Sequence, residues 1–225
     1  MSHVPVTQKV YQHSGNRPVA DLVPADAAVV LDVGCGAGDN ARLLQQPGRV
    51  IDGVTLSPEE ATLAKPDCRN VWLHNLESGL PSEASGPYDA VLCSHVLEHL
   101  CFPDALLRDI KRVLRPSGVL VVALPNMLFY RNRWRLFRGY LEYEAGGLMD
   151  HTHFRWYTFA SAQRLLESAG FVREIARGDG SLPLPGLRRM VPEPILAPLD
   201  RAGTHLFPGL FGFQLLFRYR NGGAL

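Results

Sequence analysis

The stretch VVLDVGCGAGDNARLL, residues 29–44, decides the fold. An apolar run ends in Asp-Val-Gly, glycines recur at 34, 36 and 38, and helical spacing begins at Asp39. An apolar run of that length, closed by glycine, suits a buried parallel strand. Glycine is entropically costly in regular structure, so three at alternate positions imply that something approaches the backbone there. The helix that follows offers free N–H groups and the positive end of its dipole, which suit an anionic group. The dinucleotide pattern G-x-G-x-x-G is not met, because Asp39 stands where its third glycine belongs. Nor does a Gly-Lys-Ser/Thr follow to make a P-loop.

Outward from this turn, strand and helix patterns alternate. Residues 28–34, 49–57, 70–76, 87–96 and 119–126 read as strands. "SPEEATLAK" opens a helix with Ser57 as N-cap and Pro58 in the first position, and 102–118 reads as an amphipathic helix ended by Pro116 and Gly118. Beyond Asn126 come a capped helix at 158–171 and two further strands, "FVREIAR" (171–177) and "GFQLLFRYR" (212–220). The Pro-rich segment 181–211 between them is expected to pack as short helices and turns. This alternation implies right-handed βαβ units. The expected fold class is α/β, a doubly wound, seven-stranded, mostly parallel sheet with helices on both faces. One domain spans 1–225: a helical cap (1–27), a ligand-binding core (28–126), a lid (127–160) and C-terminal strands with the Pro-rich insertion (161–225).

Composition sets broad limits. Apolar residues make up 46% and charged residues 20%, and the formal net charge of +1 gives no bulk attraction to nucleic acid or acidic membranes. The four cysteines are scattered without a CxxC pair, which argues against a disulfide scaffold and for a reducing, cytoplasmic setting. No apolar run approaches the ~20 residues of a membrane span, and the first residues carry no apolar signal region.

"LDVGCGAG" resembles the first motif of the class I S-adenosylmethionine (SAM) dependent methyltransferases. "GPYDAVLCSHVLEHL" resembles that family's fourth-strand motif and "LRDIKRVLRPSGVLVVALPN" the approach to its fifth strand, so the likeness covers 28–126. "GGLMDHTHFRWYTFASAQRLLESAGF" is similar to the tail of a bacterial branch related to MetW-type and glycan-cluster methyltransferases. The resemblance implies a Rossmann-like methyltransferase fold with SAM as cofactor. Its tail and ribose would lie against Asp32, Gly34, Cys35, Gly36 and Gly38.

The family's ribose-binding acid at the end of the second strand is here Thr55. "GVTLS" is also similar to the cyclopropane fatty acid synthases, in which a Gln five residues after the Thr helps hold the ribose; Glu60 stands at that place. Thr55, Leu56 and Glu60 are thus expected at the ribose, the alternative being that Glu60 is a solvated first-turn residue. Asn75 replaces the Asp that faces adenine, with Leu76 as a backbone contact. Ser94 and His95 are expected beside the methionine part.

Methyl transfer is an in-line displacement that needs alignment, and a base where the acceptor must lose a proton. Candidate bases are His151, with Asp150 to orient it, then His95 and His153. "HVLEH" has metal-binding H-x-x-x-H spacing, but no third ligand is evident, so no metal is expected and His99 reads as a structural helix start. In 129–143 arginines alternate with aromatics. The favoured reading buries Tyr130, Trp134, Phe137 and Leu141 on one helical face with the arginines solvated, ahead of an anion-binding lid. The expected function is methylation of a small-molecule or glycan acceptor, at a hydroxyl oxygen. The rivals are an accessory protein that binds a partner and a lipid-directed enzyme. Nucleic acid is disfavoured as a partner, and the oligomeric state is not legible.

Overall fold

The computed structural model describes residues 14–144 and 146–222. Seven strands form one sheet: β1 (Val29–Val33), β2 (Val50–Thr55), β3 (Asn70–Leu73), β4 (Tyr88–Ser94), β5 (Leu114–Pro125), β6 (Phe171–Gly180) and β7 (Gly212–Asn221). Their order is β3-β2-β1-β4-β5-β7-β6, and only β7 runs antiparallel to its neighbours. This is the expected doubly wound sheet, and the chain reverses its strand order between β1 and β4. That switch point, at the carboxyl ends of the strands, is where such sheets bind ligands.

Alternate residues of the inner strands point to opposite faces, so each strand feeds two cores. Val30, Ala90, Leu92, Val119 and Val121 join one, with the short helices α1 (Arg17–Ala20) and α2 (Asp39–Leu44). Leu31, Val33, Val91, Leu120 and Val122 join the other, with α4 (Pro103–Val113) and α6 (Phe159–Ser168). The strands read as continuous apolar runs because both faces are covered. In α4, Leu106, Leu107, Ile110 and Val113 supply the buried stripe at i, i+1, i+4 and i+7. The helix α3 (Pro58–Ala64) starts as read, with the Ser57 hydroxyl accepting from Glu60 N.

Three expectations are corrected. The helix that starts near 102 ends at Val113, not at 118, and Leu114–Gly118 already belong to β5. Pro116 disfavours helical geometry at Arg115, so the proline shapes a strand entry rather than a helix stop. Second, α5 (Tyr130–Phe137) has no buried residue: Trp134 is 59% and Phe137 82% exposed. Leu141, just past it, is exposed too. Of the face read as buried, only Tyr130 is half-buried, its ring 6.4 Å from that of Phe211; the rest has no covering element among the described residues. Third, the Pro-rich segment holds a 14-residue helix, α7 (Glu193–Leu206), with Pro198 inside it, before the short α8 (Pro208–Phe211). Of the expected N-terminal cap, residues 1–13 lie outside the described residues; α1 is the helix seen in the rest. Among the described residues no helix is long and apolar enough to cross a membrane.

Candidate active site

The turn after β1 is built on left-handed glycines. Gly34, Gly36 and Gly38 have φ of 75°, 52° and 84°. At Gly34 an added Cβ would collide with the Val96 side chain, and at Gly38 it would sit 3.0 Å from Ala64 Cα. The protein's own packing therefore demands glycine at both positions, in addition to any ligand. The amides of Gly34 and Cys35 both donate to Val54 O at 2.9 Å, which ties the turn to β2. Cys35 is buried, with its sulfur against Gly53, so it offers a ligand no side chain.

Asp32 lies one residue before the strand's end, in register between Gly53 of β2 and Leu92 of β4. It is fully buried, and among the described residues neither carboxylate oxygen has a hydrogen-bond partner. Burial, with the charge of Asp39 added, pushes its pKa up to about 7. A buried carboxylate left this way is costly and calls for a cationic donor.

At the end of β2 the Thr55 hydroxyl donates to Glu60 Oε2 at 2.7 Å, and both side chains are buried. Glu60 is thus not a solvated first-turn residue. With the Thr proton spent on Glu60, the pair faces any ligand as an acceptor, which suits the two donors of a ribose diol. Leu56 beside it is 38% exposed. The one acid within β2 is otherwise engaged: Asp52 accepts from Arg69, Asn70 and the Tyr88 hydroxyl.

Asn75 is exposed and caps the short 3-10 turn Leu76–Ser78, its Oδ1 accepting from Glu77 N at 3.0 Å. One lone pair of the amide oxygen expected at adenine is therefore committed. Ser94 ends β4 and accepts from Asn16 Nδ2 at 3.4 Å.

His95 follows with φ of 56°, rare for a residue with a side chain and typical of strained functional positions. Its Nδ1 lies 3.2 Å from Glu98 Oε1 and its Nε2 3.1 Å from Gln214 Oε1. Gln214 turns its amide nitrogen to Asp179, at 2.7 Å, so its oxygen faces the ring. Both ring nitrogens thus meet acceptors, the pattern of an imidazolium. Burial opposes that charge, but the hydrogen bonds and the Glu98 carboxylate outweigh it and raise the pKa. A ring so held positions and donates; it has no free nitrogen for a base.

The other histidines separate. His151 is exposed, its Nδ1 3.2 Å from Glu144 O and 3.6 Å from Asp150 Oδ1, so the expected pairing with Asp150 forms at the surface. His153 is buried and lines a cavity of about 420 Å³ with His95, Glu98, His99, Phe129 and Phe213. Its Nδ1 donates to Leu148 O at 2.9 Å, leaving the lone pair on Nε2. The rings of His99 and His153 meet edge to face at 4.6 Å. Sequence reasoning missed Glu98, Gln214 and Asn16. Glu98 stood inside the quoted "HVLEH", but only its histidines drew attention.

Sheet order, glycine turn and switch-point site together define the class I methyltransferase fold. Comparison with known proteins agrees. A family model described as a methyltransferase domain matches residues 11–174, and the chain belongs to that family. Among curated relatives, the ubiquinone biosynthesis O-methyltransferase of Xanthomonas axonopodis pv. citri (strain 306) is 35% identical over 119 residues, 48% of this chain and 46% of the relative. That of Xylella fastidiosa (strain 9a5c) is 32% identical over 120 residues, with the same coverage. The chain thus spans about half the length of these relatives. Among solved structures, a SAM-dependent methyltransferase from Archaeoglobus fulgidus aligns over 87% of this chain and 86% of its own, with TM-score 0.60 at 21% identity. The 1,6-didemethyltoxoflavin-N1-methyltransferase of Burkholderia thailandensis, with that substrate and S-adenosylhomocysteine bound, aligns over 91% and 76%, with TM-score 0.54 at 23% identity.

Proposed function

We propose that the protein transfers the methyl group of SAM to a hydroxyl oxygen of a small-molecule or glycan acceptor. The observation that carries the reading is Asp32, a buried carboxylate beside the glycine turn whose two oxygens lack hydrogen-bond partners among the described residues. The amino group of the cofactor's methionine tail supplies the missing cation and donors. Thr55 and Glu60 accept from the ribose hydroxyls, Asn75 and the backbone of Leu76 border the adenine, and Ser94 and His95 border the methionine part. When bound, SAM supplies the methyl group on a sulfonium leaving group, so the chain's task is alignment and proton removal.

The acceptor belongs in the cavity lined by His95, Glu98, His99 and His153. Its volume of about 420 Å³ is that of a small-molecule site. His95, fixed on both sides, orients the reacting groups, and the acceptor's proton is lost at the cluster of Glu98, His99 and His153. The curated relatives' O-methyltransferase names support oxygen as the acceptor atom. Titration calorimetry with S-adenosylhomocysteine tests the cofactor half: one site per chain is expected, and no heat at any pH from 6 to 9 overturns it. Incubation of candidate phenols and glycosides with methyl-labelled SAM, read by mass spectrometry, tests the acceptor half.

A further inference from the structure

We propose that Glu98, His99 and His153 form a site for one divalent transition-metal ion, zinc or a close analogue, in the wall of the acceptor cavity. A ligand atom from each of the three lies within 4.8 Å of the other two. Zinc held at about 2.0–2.2 Å in a tetrahedron spaces its ligands by roughly 3.4 Å. Closing the trio therefore takes side-chain rotation and no rearrangement of the backbone.

The groups around the trio are arranged as metal ligands require. A ligating imidazole usually donates its other N–H to a carbonyl or carboxylate, which fixes the ring. His153 Nδ1 donates to Leu148 O at 2.9 Å. His99 Nδ1 faces Thr152 O at 3.2 Å and Thr152 Oγ1 at 3.0 Å. That hydroxyl spends its proton on Asp150 Oδ1 at 2.8 Å, so it accepts from the ring. Both Nε2 lone pairs are left for a ligand. Glu98 is 1% exposed; its Oε1 is held by His95 while its buried Oε2 has no hydrogen-bond partner among the described residues. A carboxylate with one unpartnered oxygen and two imidazoles with unspent lone pairs, their ligand atoms within 4.8 Å of one another, make a donor set of two nitrogens and one oxygen, as in catalytic zinc centres that keep a position open.

The open position faces the cavity, where the oxygen of the acceptor can bind. A cation there lowers the pKa of a bound hydroxyl and so removes the need for a free base. That role rests on the methyl-transfer reading; the site itself does not.

The test uses tag-free protein stripped with chelator and dialysed. Titration with zinc chloride should give one ion per chain, and cobalt(II) should develop the visible bands of a nitrogen and oxygen site of low coordination number. His153→Ala and Glu98→Gln should each weaken zinc binding at least tenfold, while His205→Ala, an exposed histidine on α7, should bind as wild type. Absence of binding to wild-type protein overturns the proposal, and so does unchanged affinity in a folded His153→Ala. If either variant fails to fold, the wild-type cobalt spectrum decides, since a six-oxygen spectrum or none contradicts the site. S-adenosylhomocysteine titrated into the same stripped sample keeps the outcomes apart: it should bind whether or not metal does.

Discussion

Replacing Asp32 by Asn should make the free protein more stable at alkaline pH and a poorer binder of its cofactor. The wild-type carboxyl has a pKa of about 7 in the folded state against an ordinary value of 3.8. The folded value is the higher, so between about pH 4 and 7 the native state keeps a proton that the unfolded chain has released. Stability from this group therefore falls as pH rises through that window, and the loss is complete above about 7. Three pKa units correspond to about 4 kcal/mol. Asn cannot ionise, so it escapes that loss, but its amide hydrogens go unpartnered at a cost of about 1–3 kcal/mol. At pH 8 the variant should thus be more stable by about 1–3 kcal/mol, and at pH 5, where only about 1.6 kcal/mol of the loss has set in, the two proteins should lie within about 1.5 kcal/mol of each other. Urea melts of both proteins at the two pH values measure this. The cofactor should behave oppositely. Its ammonium favours the ionised carboxylate, so wild-type binding near pH 6.5 should release a proton, seen as a dependence of the calorimetric enthalpy on the buffer. Loss of a charged hydrogen bond, about 1.5–3 kcal/mol, weakens S-adenosylhomocysteine binding by the variant roughly ten- to a hundredfold. Equal affinity in the two proteins, or a stability difference that does not change with pH, would refute the reasoning.

Thr55→Val keeps the shape but removes the donor to Glu60 Oε2, and should cost about 1–3 kcal/mol of stability and at least tenfold in S-adenosylhomocysteine affinity, with Thr55→Ser restoring both. Calorimetry and melts on the two variants check it. Gly34→Ala places a side chain at φ 75° and against Val96, so it should destabilise by at least about 1–3 kcal/mol in a thermal melt even without ligand. Asp200→Ala removes both 2.6 Å contacts to Arg188 and the acceptor for Leu182 N, which tie residues 182–188 of the Pro-rich segment to α7. Trypsin should then cut after Arg188 and Arg189 several-fold faster while S-adenosylhomocysteine binding is unchanged.

The inner parallel strands β1, β2, β4 and β5 are legible in the sequence because strands buried on both faces read as plain apolar runs between turns, whereas the exposed edge strands β3 and β6 are legible from their place in the alternation. The end of α4 is not, because its cap comes from far away. The Asn221 side chain, from β7, donates to the carbonyls of Lys111, Leu114 and Arg115 at 3.1–3.3 Å. A local reading of Pro116 and Gly118 cannot see that partner. Periodicity likewise finds the aromatic stripe of α5, yet periodicity shows only that one face differs from the other, not that anything covers it.

The candidate site divides along the same line. Thr55 and Glu60 are five residues apart at a strand end and a helix start, so local geometry brings them together and sequence could pair them. The trio of Glu98, His99 and His153 closes across a crossing of 54 residues, and H-x-x-x-H spacing pairs His99 with His95, the histidine that turns away to Gln214. The glycines show why a local signal can have two causes. Gly34 and Gly38 are bare because Val96 and Ala64 leave no room, so their absence of side chains would persist in a protein that bound nothing. Replacement of Gly36 by Val is also no clean probe of binding, since φ of 52° strains any branched residue in the free protein. What points to a ligand is instead what folding alone leaves unexplained, the buried Asp32 carboxylate that meets no hydrogen-bond donor among the described residues.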